Sequence, residues 1–89
     1  MEEVALRPIT LSDTDNIVRW RNSDAVRLNM CDQRWLTVEQ HRIYFHEFIE
    51  TKRIVQYIIE VGEKTIGTIF LKPIDKDQSE IGLFIGEDN

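Results

Sequence analysis

Residues 55–71, VQYIIEVGEKTIGTIFL, decide the fold class because they contain two runs with strand character and a turn between them. From Val55 to Val61, apolar or aromatic side chains occupy every second position, which is the period of a half-buried β-strand. The letters VGEKT then indicate a short turn, and a second strand is predicted over residues 65–72. Because a short turn joins strands that run in opposite directions, the segment predicts an antiparallel hairpin.

Strands and helices on either side of this hairpin complete the predicted order. Residues 4–9 predict a first strand, and residues 80–86 predict a last strand after the polar loop KPIDKDQ. Amphipathic helices are predicted over residues 12–22 and 37–53, with a short helical turn between them. The order β-α-α-β-β-β indicates an α+β fold, in which the helices pack on one antiparallel sheet.

Both predicted helices begin with a capping-box pattern, in which two residues three positions apart exchange side-chain and backbone hydrogen bonds. Ser12 and Asp15 give this pattern for the first helix, and Thr37 and Gln40 give it for the second. The pattern predicts where each helix begins.

The last two strands are apolar on both sides, since residues 66–71 and 81–85 contain almost no polar side chain apart from Thr68. Strands of this kind lie in sheets that are covered on both faces. Two helices in 89 residues cannot easily cover both faces and also protect the edge of the last strand. We therefore expect the sheet to be completed by further chain or by self-association, in which two copies pair their edges as a homodimer.

Composition narrows the functional class. The net charge of −5 argues against general nucleic-acid binding, which requires an excess of Lys and Arg. No apolar run approaches the length of a membrane span, so no membrane partner is expected. The acidic N-terminal residues do not resemble a signal peptide, and one cysteine suits a reducing compartment. These features predict a cytoplasmic protein.

The histidines and the cysteine are predicted to have structural roles. His41 and His46 are five residues apart on one helix, which separates their side chains by about 140° around its axis, so they cannot easily share a metal ion. Both are expected at the surface or at its boundary. Cys31 has no neighbouring base to activate its thiol and is expected to be a half-buried structural residue. The sequence therefore predicts no metal site.

Glu80 is the leading candidate for catalysis. It stands at the head of an apolar strand, and a carboxylate that is enclosed by apolar residues can become a general base. Polar side chains at the ends of the first helical region suit a polar or carboxylate-bearing ligand: Arg21, Asn22, Arg27 and Asn29. The alternative is that Glu80 is a solvated strand end and that the arginines form ion pairs with Asp13, Asp24 or Asp32.

Several segments together resemble the GNAT N-acetyltransferase superfamily, and within it the ribosomal-protein-alanine and amino-sugar N-acetyltransferases. They are LRPITLSDTDNIVRWRN (6–22), VRLNM (26–30), LTVEQHRIYF (36–45), IGTIFLKPID (66–75) and EIGLFIGED (80–88). The resemblance extends over nearly the whole chain but includes only the N-terminal half of the family fold.

The resemblance implies a donor, an acceptor and a site. Acetyl-CoA would be the co-substrate, and a primary amine would be the acceptor, at a protein N-terminus, on an amino sugar or in a small polyamine. The last strand would carry a bulge, and its backbone groups would contact the pantetheine arm and the thioester oxygen around Phe84, Ile85 and Gly86. Glu80 would be the general base, and the acceptor side would include Arg21, Asn22, Arg27 and Asn29.

The family's pyrophosphate-binding loop, which follows this strand, is not among the 89 residues. We therefore expect residues 1–89 to be a truncated acetyltransferase domain that is inactive alone, with a missing C-terminal half or a second copy as its partner. A different class of function is the alternative: a non-catalytic α+β module that self-associates through its sheet edges.

Overall fold

The computed structural model describes residues 3–30 and 33–87. Four strands form one antiparallel sheet in the order β1-β2-β3-β4, which is also their order in the sequence. They are β1 (Val4–Pro8), β2 (Val55–Val61), β3 (Lys64–Pro73) and β4 (Ser79–Ile85). The predicted hairpin is confirmed: Val61 pairs with Lys64, and Gly62 makes the turn with a φ of 61°, in the left-handed region that glycine adopts readily.

The helical segments lie between β1 and β2. A 3-10 turn over Leu11–Asp13 leads into α1 (Thr14–Asn22), which is followed by the short α2 (Asp24–Arg27). Then α3 (Val38–Tyr44) continues as a π-helical turn over Phe45–Ile49. The predicted α+β class is confirmed, and no helix in the described ranges is long and apolar enough to cross a membrane.

One predicted helix start is correct and the other is wrong. At α3, the Gln40 N–H donates to Thr37 Oγ1 over 3.0 Å, and the Thr37 N–H donates to Gln40 Oε1 over 2.9 Å, as the capping box requires. At the first helix the box joins Thr10 and Asp13 instead of Ser12 and Asp15. The 3-10 turn makes the helical region begin earlier than predicted, so the capping residue is Thr10.

The helices cover one face of the sheet. Ile58 of β2 points into a core that also contains Ile9, Ile17, Trp20 and Phe45. Trp20 and Ile58 are each 1% exposed, which places the centre of the core between α1 and β2. Ile17 and Trp20, three residues apart, both lie on the buried side of α1.

The opposite face of the sheet is apolar and largely uncovered within the described ranges. On β4, Ile81, Leu83 and Ile85 are 66%, 61% and 49% exposed, and Leu71 of β3 and Leu6 of β1 lie on the same side. This arrangement agrees with the expectation that the sheet needs cover on both faces. That a C-terminal half supplies this cover stays a prediction.

Candidate functional site

Three cavities share Arg21 and Tyr44 as lining residues, and two of them also reach β4. The inner cavity, of about 340 Å³, is lined by Ile17, Arg21, Met30, Leu36, His41, Tyr44, Gln56, Phe70 and Phe84. The strand-side cleft, of about 770 Å³, is lined by Arg21, Asn29, Met30, Tyr44, Ile54, Phe70, Lys72, Glu80, Ile81, Gly82, Leu83 and Phe84. The outer groove, of about 350 Å³, is lined by Arg21, Arg34, Trp35, Leu36, Gln40 and Tyr44.

The strand-side cleft brings together four of the eight residues that the sequence predicts for the site. Arg21 and Asn29 come from the helical region, and Glu80 and Phe84 come from β4, about fifty residues later in the chain. Only the fold can bring these two segments together. These four residues therefore line one cleft, and the roles predicted for them stay predictions.

The surroundings of Glu80 are exposed and include a cation. It is exposed, and the next residue along β4, Ile81, is 66% exposed. Its cross-strand neighbour is Lys72, a cation rather than an apolar side chain. The exposure of Glu80 agrees with the alternative that it is a solvated strand end, because β4 is an edge strand whose outer face has no cover within the described residues. Its role as a base stays a prediction.

Asn22 holds the loop that leads into α3. Its side-chain amide donates to the carbonyl oxygen of Leu36 over 2.7 Å, and its Oδ1 accepts from the Leu36 N–H over 2.7 Å. These two hydrogen bonds use both functional atoms of the amide. Asn22 therefore positions Leu36, a lining residue of the inner cavity, and does not itself line any of the three cavities.

Arg27 also binds neighbouring groups of the protein. Its guanidinium donates to Asp24 and to the Gln33 carbonyl, each over 3.2 Å, and lies 5.1 Å from the ring centre of Trp35. The Arg27–Asp24 ion pair is one of those predicted by the alternative in which the arginines pair with acidic residues. Arg27 does not line the three cavities, whereas Trp35, which it contacts, lines the outer groove.

The end of β4 is fixed against α1. Gly86 and Glu87 both donate their N–H groups to the carbonyl oxygen of Ile66, over 2.7 and 3.1 Å, which is the two-to-one pattern of a β-bulge. A Cβ on Gly86 would lie 2.1 Å from Cγ of Trp20, so only glycine fits against that ring. These contacts lie just beyond the end of β4, and the bulge that the resemblance implies within the last strand stays a prediction.

The side chain of Glu87 strengthens the same contact. Its Oε1 accepts from Nε1 of Trp20 over 2.7 Å and also binds the guanidinium of Arg19. The hydrogen bond from the Trp20 indole, with help from Arg19, lowers the pKa of Glu87. The carboxylate is thus held in its charged form where β4 leaves the sheet.

His41 is a site residue that the sequence reasoning missed. It is 3% exposed, and its Nδ1 lies 3.0 Å from Oγ1 of Thr14. Burial lowers the pKa of His41, an effect that the charge of Asp13 partly opposes. The expectation of a surface histidine is therefore wrong. The sequence contained the signal, because His41 follows Val38 by three residues and precedes Phe45 by four, which places it on the apolar face of the helix.

His46 lies at the exposed surface, as expected, and its Nδ1 is 2.9 Å from Oε1 of Glu50. Residues 3–30 and 33–87 contain no group of three or more potential metal ligands. The prediction for Cys31 concerns a residue outside the described ranges.

A comparison with protein families matches residues 3–89 to an acetyltransferase (GNAT) domain. The chain belongs to the GNAT acetyltransferase family. This confirms the family that the sequence segments resemble. A comparison with curated protein sequences found no match.

Solved structures confirm the GNAT fold. A domain from Methanocaldococcus jannaschii superposes with a TM-score of 0.83 at 23% identity, over 98% of this chain and 58% of the other. The spermidine N-acetyltransferase of Vibrio cholerae, solved with CoA and spermine, gives a TM-score of 0.82 at 15% identity, over 92% of this chain and 50% of the other. The GNAT chain described here thus spans between 50% and 58% of the length of these structures.

Proposed function

We propose that this GNAT protein transfers an acetyl group from acetyl-CoA to a primary amine. The observation that carries the proposal is the end of β4, where a bulge lies at a sheet edge beside a cleft that contains a carboxylate. In the proposed reaction the amine attacks the thioester carbonyl, a C–N bond forms, and the C–S bond breaks to release the CoA thiolate. The family match and the CoA in the Vibrio cholerae structure support acetyl-CoA as the donor.

The donor would lie along the outer edge of β4, which pairs with no strand in the described ranges. The N–H of Gly86 is already donated to Ile66, so it is not free for the thioester oxygen. Alternate residues of a strand direct their backbone groups to opposite sides, which leaves Ile85 as the residue that faces the outer edge. We therefore assign the pantetheine and thioester contacts to the backbone of Ile85, with Phe84 and Gly86 shaping the strand around it.

The acceptor would enter the strand-side cleft. Glu80 is proposed to take a proton from the ammonium group, directly or through water, so that the neutral amine can attack. Arg21 and Asn29 line the same cleft and are proposed to bind the rest of the acceptor. Asn22 and Arg27 are proposed to act indirectly, by holding Leu36 and Trp35 in place. A protein N-terminus, an amino sugar and a small polyamine are the candidate acceptors, and we propose a cytoplasmic location.

The proposal is tested by thiol release from acetyl-CoA in the presence of a panel of primary amines, using the protein at its natural full length. Replacement of Glu80 by Gln should lower the rate by about 10²–10⁴-fold, the range of general-base catalysis, with little change in acetyl-CoA affinity. Lys76→Gln, in the polar loop before β4, is the matched control and should keep the rate. Glu80→Gln with an unchanged rate would contradict the role of Glu80, and no thiol release with any amine would contradict the function.

Calorimetry separates donor binding from turnover. Because the pyrophosphate loop of the family is not among residues 1–89, this 89-residue chain is expected to bind acetyl-CoA weakly or not at all. A micromolar dissociation constant for the 89-residue chain would contradict that expectation.

A self-associating module is the second candidate function. The exposed side chains of Ile81, Leu83 and Ile85 favour it, and so does the outer edge of β4, which pairs with no strand in residues 3–30 and 33–87. An apolar sheet edge can pair with a second copy. Light scattering after size exclusion should show a dimer that Leu83→Lys weakens. A monomer at all concentrations would contradict this candidate.

A further inference from the structure

The segment that follows β4 is held against α1 by the side chain of Glu87. Its Oε1 accepts a hydrogen bond from Nε1 of Trp20 over 2.7 Å and also binds the guanidinium of Arg19. Trp20 is 1% exposed, and a buried indole N–H without an acceptor is costly. In the part of the chain that the structure describes, Glu87 provides that acceptor. The contact therefore joins the core of the protein to the end of its last strand.

Two further contacts fix the same place from the inner side of the sheet. The N–H groups of Gly86 and Glu87 both donate to the carbonyl oxygen of Ile66. Gly86 also lies against the ring of Trp20, with no space for a Cβ. The residue before them is Ile85, the last residue of β4, to whose backbone we assign the pantetheine and thioester contacts. A sheet edge that is fixed before its ligand arrives binds more tightly, because it loses less conformational freedom on binding.

We propose that Glu87 is a positioning residue for the donor: its carboxylate, bound to Nε1 of Trp20, holds the backbone of Ile85 in the geometry that binds the pantetheine arm. Glu87 lines none of the three cavities, so it acts through the strand end and not by contact with the acceptor. The competing role is an effect on the segment after Glu87, where the pyrophosphate loop of the family would follow. This inference rests on the proposed acetyl transfer.

Two fragments of the donor distinguish these roles in the protein at its natural full length. Acetylpantetheine carries the arm and the thioester without the nucleotide, and 3′-phospho-ADP carries the nucleotide and its diphosphate without the arm. Glu87→Ala removes the acceptor for the indole, whereas Glu87→Gln keeps an oxygen that can accept from Nε1 of Trp20. Glu63→Ala, at an exposed position in the turn between β2 and β3, removes a carboxylate elsewhere and is the matched control.

Glu87→Ala should weaken the binding of acetyl-CoA and lower kcat/KM for acetylpantetheine, each by about tenfold, the effect of one lost hydrogen bond. The KM for the amine and the affinity for 3′-phospho-ADP, measured by calorimetry, should stay at the wild-type values. Glu87→Gln should recover most of the loss, and Glu63→Ala should behave as the wild type. A general loss of folding would weaken both fragments alike, so the difference between the fragments identifies positioning.

Three results would overturn the proposal. The first is equal binding of acetyl-CoA by Glu87→Ala and the wild type. The second is a loss that affects 3′-phospho-ADP as much as acetylpantetheine, or 3′-phospho-ADP alone, which assigns Glu87 to the pyrophosphate loop or to folding. The third is a loss in Glu87→Gln as large as in Glu87→Ala, which assigns the effect to the ion pair with Arg19 instead of the hydrogen bond from Trp20.

The same measurements separate this inference from the proposed function. Thiol release by the wild type, with unchanged donor binding in Glu87→Ala, would keep acetyl transfer and reject the positioning role. Donor binding that depends on Glu87, without thiol release with any amine, would keep the positioning role and reject the reaction. No binding of acetyl-CoA by the wild type would reject both.

Discussion

Gly86 combines two constraints at one residue, since its N–H completes the bulge and its Cα lies against the indole of Trp20. Gly86→Ala should lower the free energy of unfolding by about 1–3 kcal/mol, because the added methyl group overlaps a ring that is buried and cannot move aside. Urea denaturation measures this loss. Ser79→Ala, at the exposed start of the same strand, is the control and should change stability little. An unchanged midpoint in Gly86→Ala would show that Trp20 relaxes.

Asn22, which the sequence predicts for the acceptor side, has a structural role in the loop before α3. Asn22→Ala removes both hydrogen bonds to the Leu36 backbone and should cost about 1–3 kcal/mol of stability, because it leaves partly buried backbone groups without partners. Asn22→Asp keeps the acceptor for the Leu36 N–H but sets a carboxylate oxygen against the Leu36 carbonyl oxygen, so it should also lose stability. Thermal unfolding of the two variants gives the comparison. Equal stability of Asn22→Ala and the wild type would contradict the structural role.

At the scale of the element, α3 is the helix whose start the sequence predicts correctly. Thr37→Ala should destabilise the protein by about 1 kcal/mol, the usual effect of losing an N-cap side chain. Arg42→Ala, at an exposed position of the same helix, should stay within about 0.5 kcal/mol of the wild type. Chemical denaturation of the two variants measures the difference. If Arg42→Ala lowered the stability as much as Thr37→Ala, the loss of the N-cap would not explain the effect of Thr37→Ala.

The start of the first helical region shows why a capping-box pattern can predict the wrong first residue of a helix. Thr10 and Asp13 have the same spacing as Ser12 and Asp15, so local sequence allows two capping boxes. Arg7 on β1 binds both carboxylate oxygens of Asp13, over 2.7 and 2.9 Å, and thereby favours the box that begins at Thr10. A contact between a strand and a helical turn decided between two local alternatives.

At the scale of the whole molecule, stability should fall as the solution becomes acidic, and His41 contributes to the first part of the fall. Burial lowers the pKa of His41 in the folded state, so the unfolded chain takes up the proton first as pH drops below the ordinary value of 6.5. The free energy of unfolding should therefore decrease between pH 7.5 and pH 5. Denaturation of wild type and His41→Phe over this range checks the sign, and His46→Gln is the control. A wild-type stability that rises in this range would contradict it.

Asp13 contributes to the same fall at lower pH. Burial alone would raise the pKa of Asp13, but hydrogen bonds from Arg7 and Thr10 outweigh it and lower the pKa below the ordinary value of 3.8. Its stabilising effect is present above that value and is lost as pH falls through the lower, folded-state pKa. Asp13→Asn should flatten the stability profile below pH 4 and should also be less stable at neutral pH. A variant profile as steep as that of the wild type would contradict the assignment.

The sequence by itself determined the α+β class, the antiparallel hairpin, the family and the start of α3. These features depend on local chemistry: the period of apolar side chains, a turn glycine and a threonine three residues before a glutamine. The sequence also predicted that the sheet needs cover on both faces, because the last two strands carry apolar side chains on both sides.

Only the tertiary structure decided which polar residues meet. It brought Glu80, Arg21 and Asn29 into the lining of one cleft, joined Asn22 and Arg27 to neighbouring groups by hydrogen bonds, and buried His41 against Thr14. The physical reason is that hydrogen bonding and desolvation depend on which segments pack against each other, and residues far apart in the chain carry no local sign of that contact. The inner cavity and its buried imidazole are a product of this packing.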